Sequence, residues 1–224
     1  MDKKIILPIG LMLLVSFSFL ALALENNTNI QLNKGWNLVS GFSGLHSQIN
    51  SDSDINLENI KAVYAYFAPA QQYVGLGPNA DSEEKIDRLE QTYNADDDLL
   101  MYSANWVYSD KEGYLRYNQY TLDMYGIESL NELEIFKGWN FVPITEEMIE
   151  SSERSIFSIK DLAGTCDIQK SYVWDVDKQQ WLAAPLESFD FGIDGVGLGW
   201  VIKVSNNCKL GTSGGNIPSI PNLP

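Results

Sequence analysis

Few residues in this chain have the types and spacing that catalysis or metal binding requires. Asp52, Asp54 and Asn56 alternate like the first ligands of a calcium loop, but Leu57 stands where such a loop requires glycine. His46 is the only imidazole, and we interpret it as a surface-loop residue. A single histidine also excludes metalloproteases that need two. The sequence therefore predicts no catalytic residue, no metal site and no cofactor.

Aromatic side chains are the remaining candidates for a binding function. Tyr73 and Trp181 each follow a Gln-Gln pair at the end of a predicted hairpin. In an exposed position such rings can stack on sugar rings, whereas in a buried position they pack in the core. Both interpretations stay open, with core packing as the default and ligand stacking as the alternative.

Cys166 and Cys208 are the only two cysteines, and we predict that they form a disulfide bond. An exported chain can keep such a bond, whereas a cytosolic chain usually keeps its thiols reduced. The bond would close a loop of about 43 residues, which the chain-entropy relation values at about 4 kcal/mol. Two separate buried thiols are the alternative.

Residues 1–24 have the pattern of an export signal. Lys3 and Lys4 precede an apolar run over 5–24 that ends in the small-residue site 21–23. Because about twenty apolar residues can also cross a bilayer, the segment is either a cleaved signal peptide or an uncleaved membrane anchor. Either way we expect the rest of the protein to be extracellular or at the cell surface, with membrane contact only through this segment.

Composition separates the possible partners. The 224 residues are 45% hydrophobic, so the chain can bury a core and is not mainly disordered. Its formal net charge of −15 repels the phosphates of nucleic acids. We therefore expect no nucleic-acid partner, and a cell-envelope protein or glycan instead.

An internal repeat organises the chain. The sequence KGWNLV at 34–39 recurs as KGWNFV at 137–142. Further matches follow in the same order: Tyr64, Tyr66 and Tyr73 with Tyr172, Trp174 and Trp181, and Trp106-Val107 with Trp200-Val201. We predict that these aromatic members of the repeat form an inward-facing core: Trp36, Trp139, Trp106, Trp200, Tyr64 and Tyr172.

The repeated elements are rich in β-branched and aromatic residues and are predicted to be strands. Between them, Asp81 can cap a helix that places Ile86 and Leu89 on one face. The predicted fold is mainly β with a few short helices, arranged as two tandem small β-sandwich or barrel-like modules after an N-terminal signal or anchor helix. The expected bounds are 28–125 for the first module, with its helical insertion at 80–98, then 131–211 for the second module and 212–224 for a flexible Gly/Pro tail.

The motifs LxKGWNLVS, YVWDVDKQQW and GWVIKVSNNCKL occur in this order in the repeat elements. Together they resemble KGWNLVS-type β modules of exported and surface-layer-associated proteins of archaea and some bacteria, present here in two divergent copies. The resemblance implies a β architecture and a cell-surface setting, and it brings no catalytic residues.

These observations predict a non-enzymatic, secreted or cell-surface protein with a structural or interaction role. The alternative is a carbohydrate-binding module that uses exposed aromatic residues. An extracellular hydrolase is a more distant alternative, because it would require carboxylates facing one another in a cleft.

Overall fold

The computed structural model describes residues 27–42, 49–78, 80–81, 83–95, 99–100, 103–118, 133–144, 162–186 and 195–211. Within these ranges the protein is mainly β with short helical segments, which confirms the mainly β character of the predicted fold. The expectations for residues 1–24, His46, the boundary at 125–131 and the tail at 212–224 concern parts of the chain outside those ranges. No helix among the described residues is long and apolar enough to cross a membrane.

The described ranges form twelve strands and one α-helix. The helix α1 spans Glu83–Tyr93. The strands are β1 (Asn27–Leu32), β2 (Gly35–Ser40), β3 (Ile60–Phe67), β4 (Gln72–Gly75), β5 (Ala104–Ser109), β6 (Gly113–Asn118), β7 (Glu134–Ile135), β8 (Gly138–Pro143), β9 (Ile168–Asp175), β10 (Gln180–Ala183), β11 (Gly199–Val204) and β12 (Cys208–Lys209).

Two four-stranded antiparallel sheets have the same strand order. The first sheet is β2-β5-β3-β4, and the pair β1-β6 accompanies it. The second sheet is β8-β11-β9-β10, accompanied by the pair β7-β12. Strands that occupy matching places in the chain therefore occupy matching places in the two sheets.

Side-chain alternation sorts each strand onto two faces, because successive residues of a strand point to opposite sides. In β3, Val63, Ala65 and Phe67 are buried, whereas Tyr64 and Tyr66 lie on the other face and are half-buried. The core below the first sheet draws its buried residues from 30–117, and the core of the second sheet draws them from 133–210.

A third apolar cluster joins the two sheets. Its buried members are Leu38 and Ala104 from the first sheet and Phe141 and Val201 from the second. Half-buried aromatic residues of both sheets pack around it: Tyr66, Trp106, Trp139 and Trp174. The face of each sheet that carries the repeated aromatic residues is therefore turned toward the other sheet.

Backbone hydrogen bonds fix this arrangement at Ser40, the last residue of β2. Its N–H donates to the carbonyl of Gly197 at 2.8 Å. Its hydroxyl donates to the carbonyl of Leu198 and accepts from the N–H of Ile144 at 2.9 Å. Because Ser40 is fully buried, these bonds tie the end of the first sheet to the entrance of β11.

The helix α1 covers one side of the first core. Ile86 and Leu89 pack against that core, which agrees with the apolar face predicted for the insertion. Asp81 contacts Lys85 Nζ at 2.8 Å and accepts a hydrogen bond from the N–H of Gly75 at 3.0 Å. The carboxylate of Asp81 thus joins the start of the helix to the end of β4.

Cys166 and Cys208 form a disulfide bond, as predicted. Cys166 belongs to the second core, and Cys208 lies in β12, where it pairs with Ile135 of β7. The bond therefore attaches the short β7-β12 pair to the residues that precede β9.

Candidate functional site

A cleft of about 360 Å³, the first cleft, is lined by aromatic side chains from both sheets. The first sheet contributes Trp36, Tyr64, Tyr73 and Trp106, and the second contributes Trp174 and Trp181. The rings of Trp106, Trp174 and Trp181 contact one another in pairs, with centroids 4.9 to 5.3 Å apart and ring planes at 71° to 88°. Such edge-to-face contacts are favourable and hold the rings in defined orientations.

A second cleft of about 400 Å³ lies beside it. Its lining consists of Tyr66, Tyr73, Trp139, Phe141, Lys170, Tyr172, Trp181 and Val201. The strand registers relate the two linings residue by residue. The first cleft contains Trp36, Tyr64, Trp106 and Trp174, and their counterparts in the second cleft are, in the same order, Trp139, Tyr172, Val201 and Tyr66. The two clefts are therefore two versions of one arrangement, each built from both sheets.

Tyr73 and Trp181 line both clefts and form the ridge between them. They lie on β4 and β10, the edge strands of the two sheets. Tyr73 is 48% exposed and Trp181 is 41% exposed, so both rings combine a packed edge with a surface open to solvent. Their exposure agrees with the alternative in which these two residues stack on a ligand.

Reciprocal glutamine clamps position the tryptophans of the two KGWN segments. Gln179, in the turn between β9 and β10, accepts from the N–H of Trp36 at 2.9 Å and donates to its carbonyl at 3.0 Å. Gln71, in the turn between β3 and β4, accepts from the N–H of Trp139 at 2.7 Å and donates to its carbonyl at 3.0 Å. Each half of the chain thus holds the tryptophan of the other half.

The glycine of each KGWN segment makes room for its clamp. Gly35 and Gly138 have φ values of 113° and 103°, which favour glycine. A Cβ atom at either position would collide with the clamping side chain, Gln179 or Gln71 respectively. The repeated glycines and the repeated glutamine pairs therefore serve the same contact.

The asparagine of each KGWN segment closes the turn before its strand. Asn37 accepts from the N–H of Asn33 and donates to the carbonyl of Asn33, both at 2.9 Å. Asn140 makes the same pair of bonds with Phe136, at 2.9 and 2.7 Å. The glycine and the asparagine of the KGWN motif therefore have structural roles.

Burial in the clefts favours the protonated hydroxyl groups of Tyr73 and Tyr66. Trp106 Nε1 donates to the hydroxyl of Tyr73 at 3.3 Å. Burial raises the pKa of Tyr73, and this hydrogen bond offsets only part of the rise. Burial also raises the pKa of Tyr66, with a further contribution from Tyr73. Both hydroxyl groups keep their protons at neutral pH and can donate hydrogen bonds.

Charge distinguishes the two clefts. Lys170 lines the second cleft, and Nζ of Lys203 lies 5.8 Å from the centroid of the Trp139 ring, a cation–π distance. In the first sheet the residue opposite Trp36 is Tyr108, whose ring centroid is 5.1 Å from that of Trp36. The residue opposite the KGWN tryptophan is therefore aromatic in the first sheet and cationic in the second.

The residues predicted to form the repeat core fall into two environments. Trp200 is fully buried, and its Nε1 donates to the hydroxyl of Ser171 at 2.7 Å. Trp36, Trp106, Trp139, Tyr64 and Tyr172 are half-buried and line the clefts instead.

The proposed equivalence of Trp106 and Trp200 is wrong by one residue. Trp106 lies opposite Leu38, whereas Trp200 lies opposite Val142. The true counterpart of Trp106 is Val201, which lies opposite Phe141. A shift of one residue moves a side chain to the other face of a sheet, so one indole faces a cleft and the other faces the core.

The acidic residues that resemble a calcium loop have structural partners. Asp52 pairs with Arg116, and Asp54 accepts from the N–H of Tyr114 at 3.2 Å. Asn56 caps a short 3-10 turn by accepting from the N–H of Glu58 at 3.0 Å. In the part of the chain that the structure describes, no group of three or more metal-ligating side chains comes together.

Sequence reasoning missed Tyr66, Trp174 and Phe141 as members of the clefts. The signal was present, because Tyr66 and Trp174 share the spacing of the repeat and Phe141 follows the second KGWN.

Comparison of the chain with family models, curated proteins and solved structures found no match. The clefts themselves are therefore the basis for a functional argument.

Proposed function

We propose that this protein is a non-catalytic, glycan-binding protein of the cell exterior, and that the ridge of Tyr73 and Trp181 with the adjoining second cleft holds the glycan. The apolar segment at 1–24 and the Cys166–Cys208 disulfide bond support a setting outside the cytoplasm. The resemblance of the KGWN segments to modules of surface-layer-associated proteins supports the same setting.

The observation that carries the proposal is the exposure of two large aromatic rings above a concave, largely aromatic surface. Tyr73 and Trp181 pack against neighbouring rings, yet almost half of each side chain remains in water. Exposed apolar patches of this kind are typical of binding surfaces. A purely structural role would not require them to be exposed.

The chemistry of the second cleft suits a sugar. The C–H face of a pyranose ring is apolar and stacks on an aromatic ring, while its hydroxyl groups need hydrogen-bond partners. Tyr172 offers a phenol and Lys170 an ammonium group beside the ring of Trp181. A glycosidase would need facing carboxylates, and none is among the described residues that line either cleft.

The test is calorimetric titration of the purified protein with a panel of soluble cell-envelope polysaccharides. We expect saturable binding that Tyr73→Ala and Trp181→Ala each weaken about tenfold, equivalent to about 1.4 kcal/mol. Tyr114→Ala is the matched control, because Tyr114 is 50% exposed on β6 and lines neither cleft. Binding by none of the panel, or equal losses in the Tyr114 variant, would contradict the proposal.

A further inference from the structure

We propose that the first cleft binds a small organic cation with a quaternary ammonium group, such as a choline-like compound. This goes beyond glycan binding, because it assigns the first cleft a ligand class of its own. The proposal depends on the composition of the lining, on the charge difference between the two clefts and on the occupied hydrogen-bond acceptor at its edge.

The lining of the first cleft consists of four indoles and two phenols. The faces of aromatic rings carry negative potential, and Trp is the strongest of them in attracting a cation. Several rings around one space act together, which is how aromatic cages recognise methylated ammonium groups. A volume of about 360 Å³ leaves room for a trimethylammonium group and its attached chain.

The second cleft supplies an internal comparison. There Lys170 belongs to the lining, and Lys203 lies over the ring of Trp139, which is itself a lining residue. At the matching positions of the first sheet stand Tyr108 and Ala62, neither of which carries a charge. The first cleft thus keeps the aromatic surface, and none of the residues described in its lining carries a positive charge.

The hydrogen-bond acceptors around the first cleft favour a quaternary ammonium group over a primary one. A primary ammonium group loses hydrogen bonds to water when buried and needs oxygen atoms to replace them. No carboxylate is among the lining residues described for the first cleft. The nearby carbonyl of Trp36 already accepts from Trp174 Nε1 at 2.8 Å and from Gln179 Nε2 at 3.0 Å. A quaternary ammonium group has no N–H to satisfy and places only methyl groups against the rings.

Long-range electrostatics favour the same ligand class. The chain carries thirty acidic and fifteen basic side chains, so its net field attracts cations and repels anions. This attraction weakens as salt shortens the screening length. Binding of the cation should therefore weaken as the ionic strength rises.

Calorimetric titration of the purified protein with tetramethylammonium and choline tests the inference, with 3,3-dimethylbutan-1-ol as the neutral isostere of choline. We expect a dissociation constant of about 1 mM or lower for choline and at least about tenfold weaker binding of the isostere. Equal affinity for the two compounds, or no saturable signal from choline up to about 50 mM, would overturn the inference.

Two substitutions locate the site through the charge difference between the clefts. Tyr108→Lys places an ammonium group opposite Trp36, as Lys203 lies opposite Trp139, and we expect it to weaken choline binding at least about tenfold. Lys203→Met is the matched control and should change choline affinity less than about twofold. If the Tyr108 variant fails to fold, as judged by circular dichroism, Trp36→Leu with Trp139→Leu as its control replaces the pair.

The outcomes separate this inference from the glycan proposal. A choline affinity that is unaffected by Tyr108→Lys, or lost equally in the control variant, places the cation elsewhere and refutes the inference. Choline binding without any glycan binding would leave the inference standing and refute the proposed function. Glycan binding without choline binding would do the reverse.

Discussion

The clamps formed by Gln71 and Gln179 provide the sharpest test of how the two sheets are held together. Gln71→Ala removes both hydrogen bonds to the backbone of Trp139, and Gln179→Ala removes both bonds to the backbone of Trp36. Both glutamines have positive φ values, 54° and 51°, which strain any residue other than glycine. We therefore choose alanine as the replacement, because glycine would relieve this strain and so mask part of the effect of losing the hydrogen bonds.

The expected loss of stability follows from the solvent exposure of these hydrogen bonds. They lie at the rim of the interface, where one hydrogen bond contributes about 0.5–1 kcal/mol, so each variant should lose about 1–2 kcal/mol. For a protein of this size, about 1 kcal/mol corresponds to about 2–4 °C in Tm. We expect each single variant to melt about 2–8 °C lower than the parent protein.

The assay is thermal unfolding followed by circular dichroism, combined with ligand titration. Gln72→Ala and Gln180→Ala are the controls, since these exposed neighbours are the first residues of β4 and β10. The clamp variants should also weaken ligand binding, because the clefts are built from both sheets. If the Gln71 and Gln179 variants melt within about 1 °C of the two controls, the clamps do not hold the sheets together.

Two further predictions concern the buried aromatic residues. Trp200→Phe should lower the free energy of unfolding in urea by about 2 kcal/mol or more, because it opens a cavity and leaves the hydroxyl of Ser171 without its donor. Trp106→Phe should lower it less, because Trp106 is half-buried. Equal losses in the two variants would contradict the strand register. Burial raises the pKa of Tyr117, whose hydroxyl donates to the carbonyl of Ser40. The contribution of Tyr117 to stability is therefore complete below about pH 10 and falls above that pH, because the phenol then ionises in the unfolded state only. Urea unfolding between pH 8 and 11 should show this loss of stability, and Tyr117→Phe should make it smaller.

The Cys166–Cys208 bond and the strands of the repeat could be predicted from local features. Two cysteines in a chain with an export-like N-terminus have one natural pairing. The KGWN segments also have alternation and β-forming residues that favour strands in any context. Such features depend on neighbours in the sequence, so the chain itself contains enough information for them.

The sheet face on which each tryptophan lies could not be predicted from the same features. Trp106-Val107 and Trp200-Val201 look equivalent in the sequence, yet the register places Trp106 beside the clefts and Trp200 in the core. Because a strand alternates with period two, a misalignment of one residue reverses every assignment. Only the pairing with β2 and β8 decides which of two adjacent residues faces inward.

By itself the sequence determined that this is a mainly β protein with repeated aromatic, glycine and glutamine positions and one disulfide bond, because these follow from residue type and spacing. Only the tertiary structure decided what the repeated positions do. The partners of Gln71 and Gln179 lie 68 and 143 residues away along the chain, and each glutamine meets its tryptophan only when the two sheets pack face to face. The clefts arise from that packing, since each is lined by residues of both sheets.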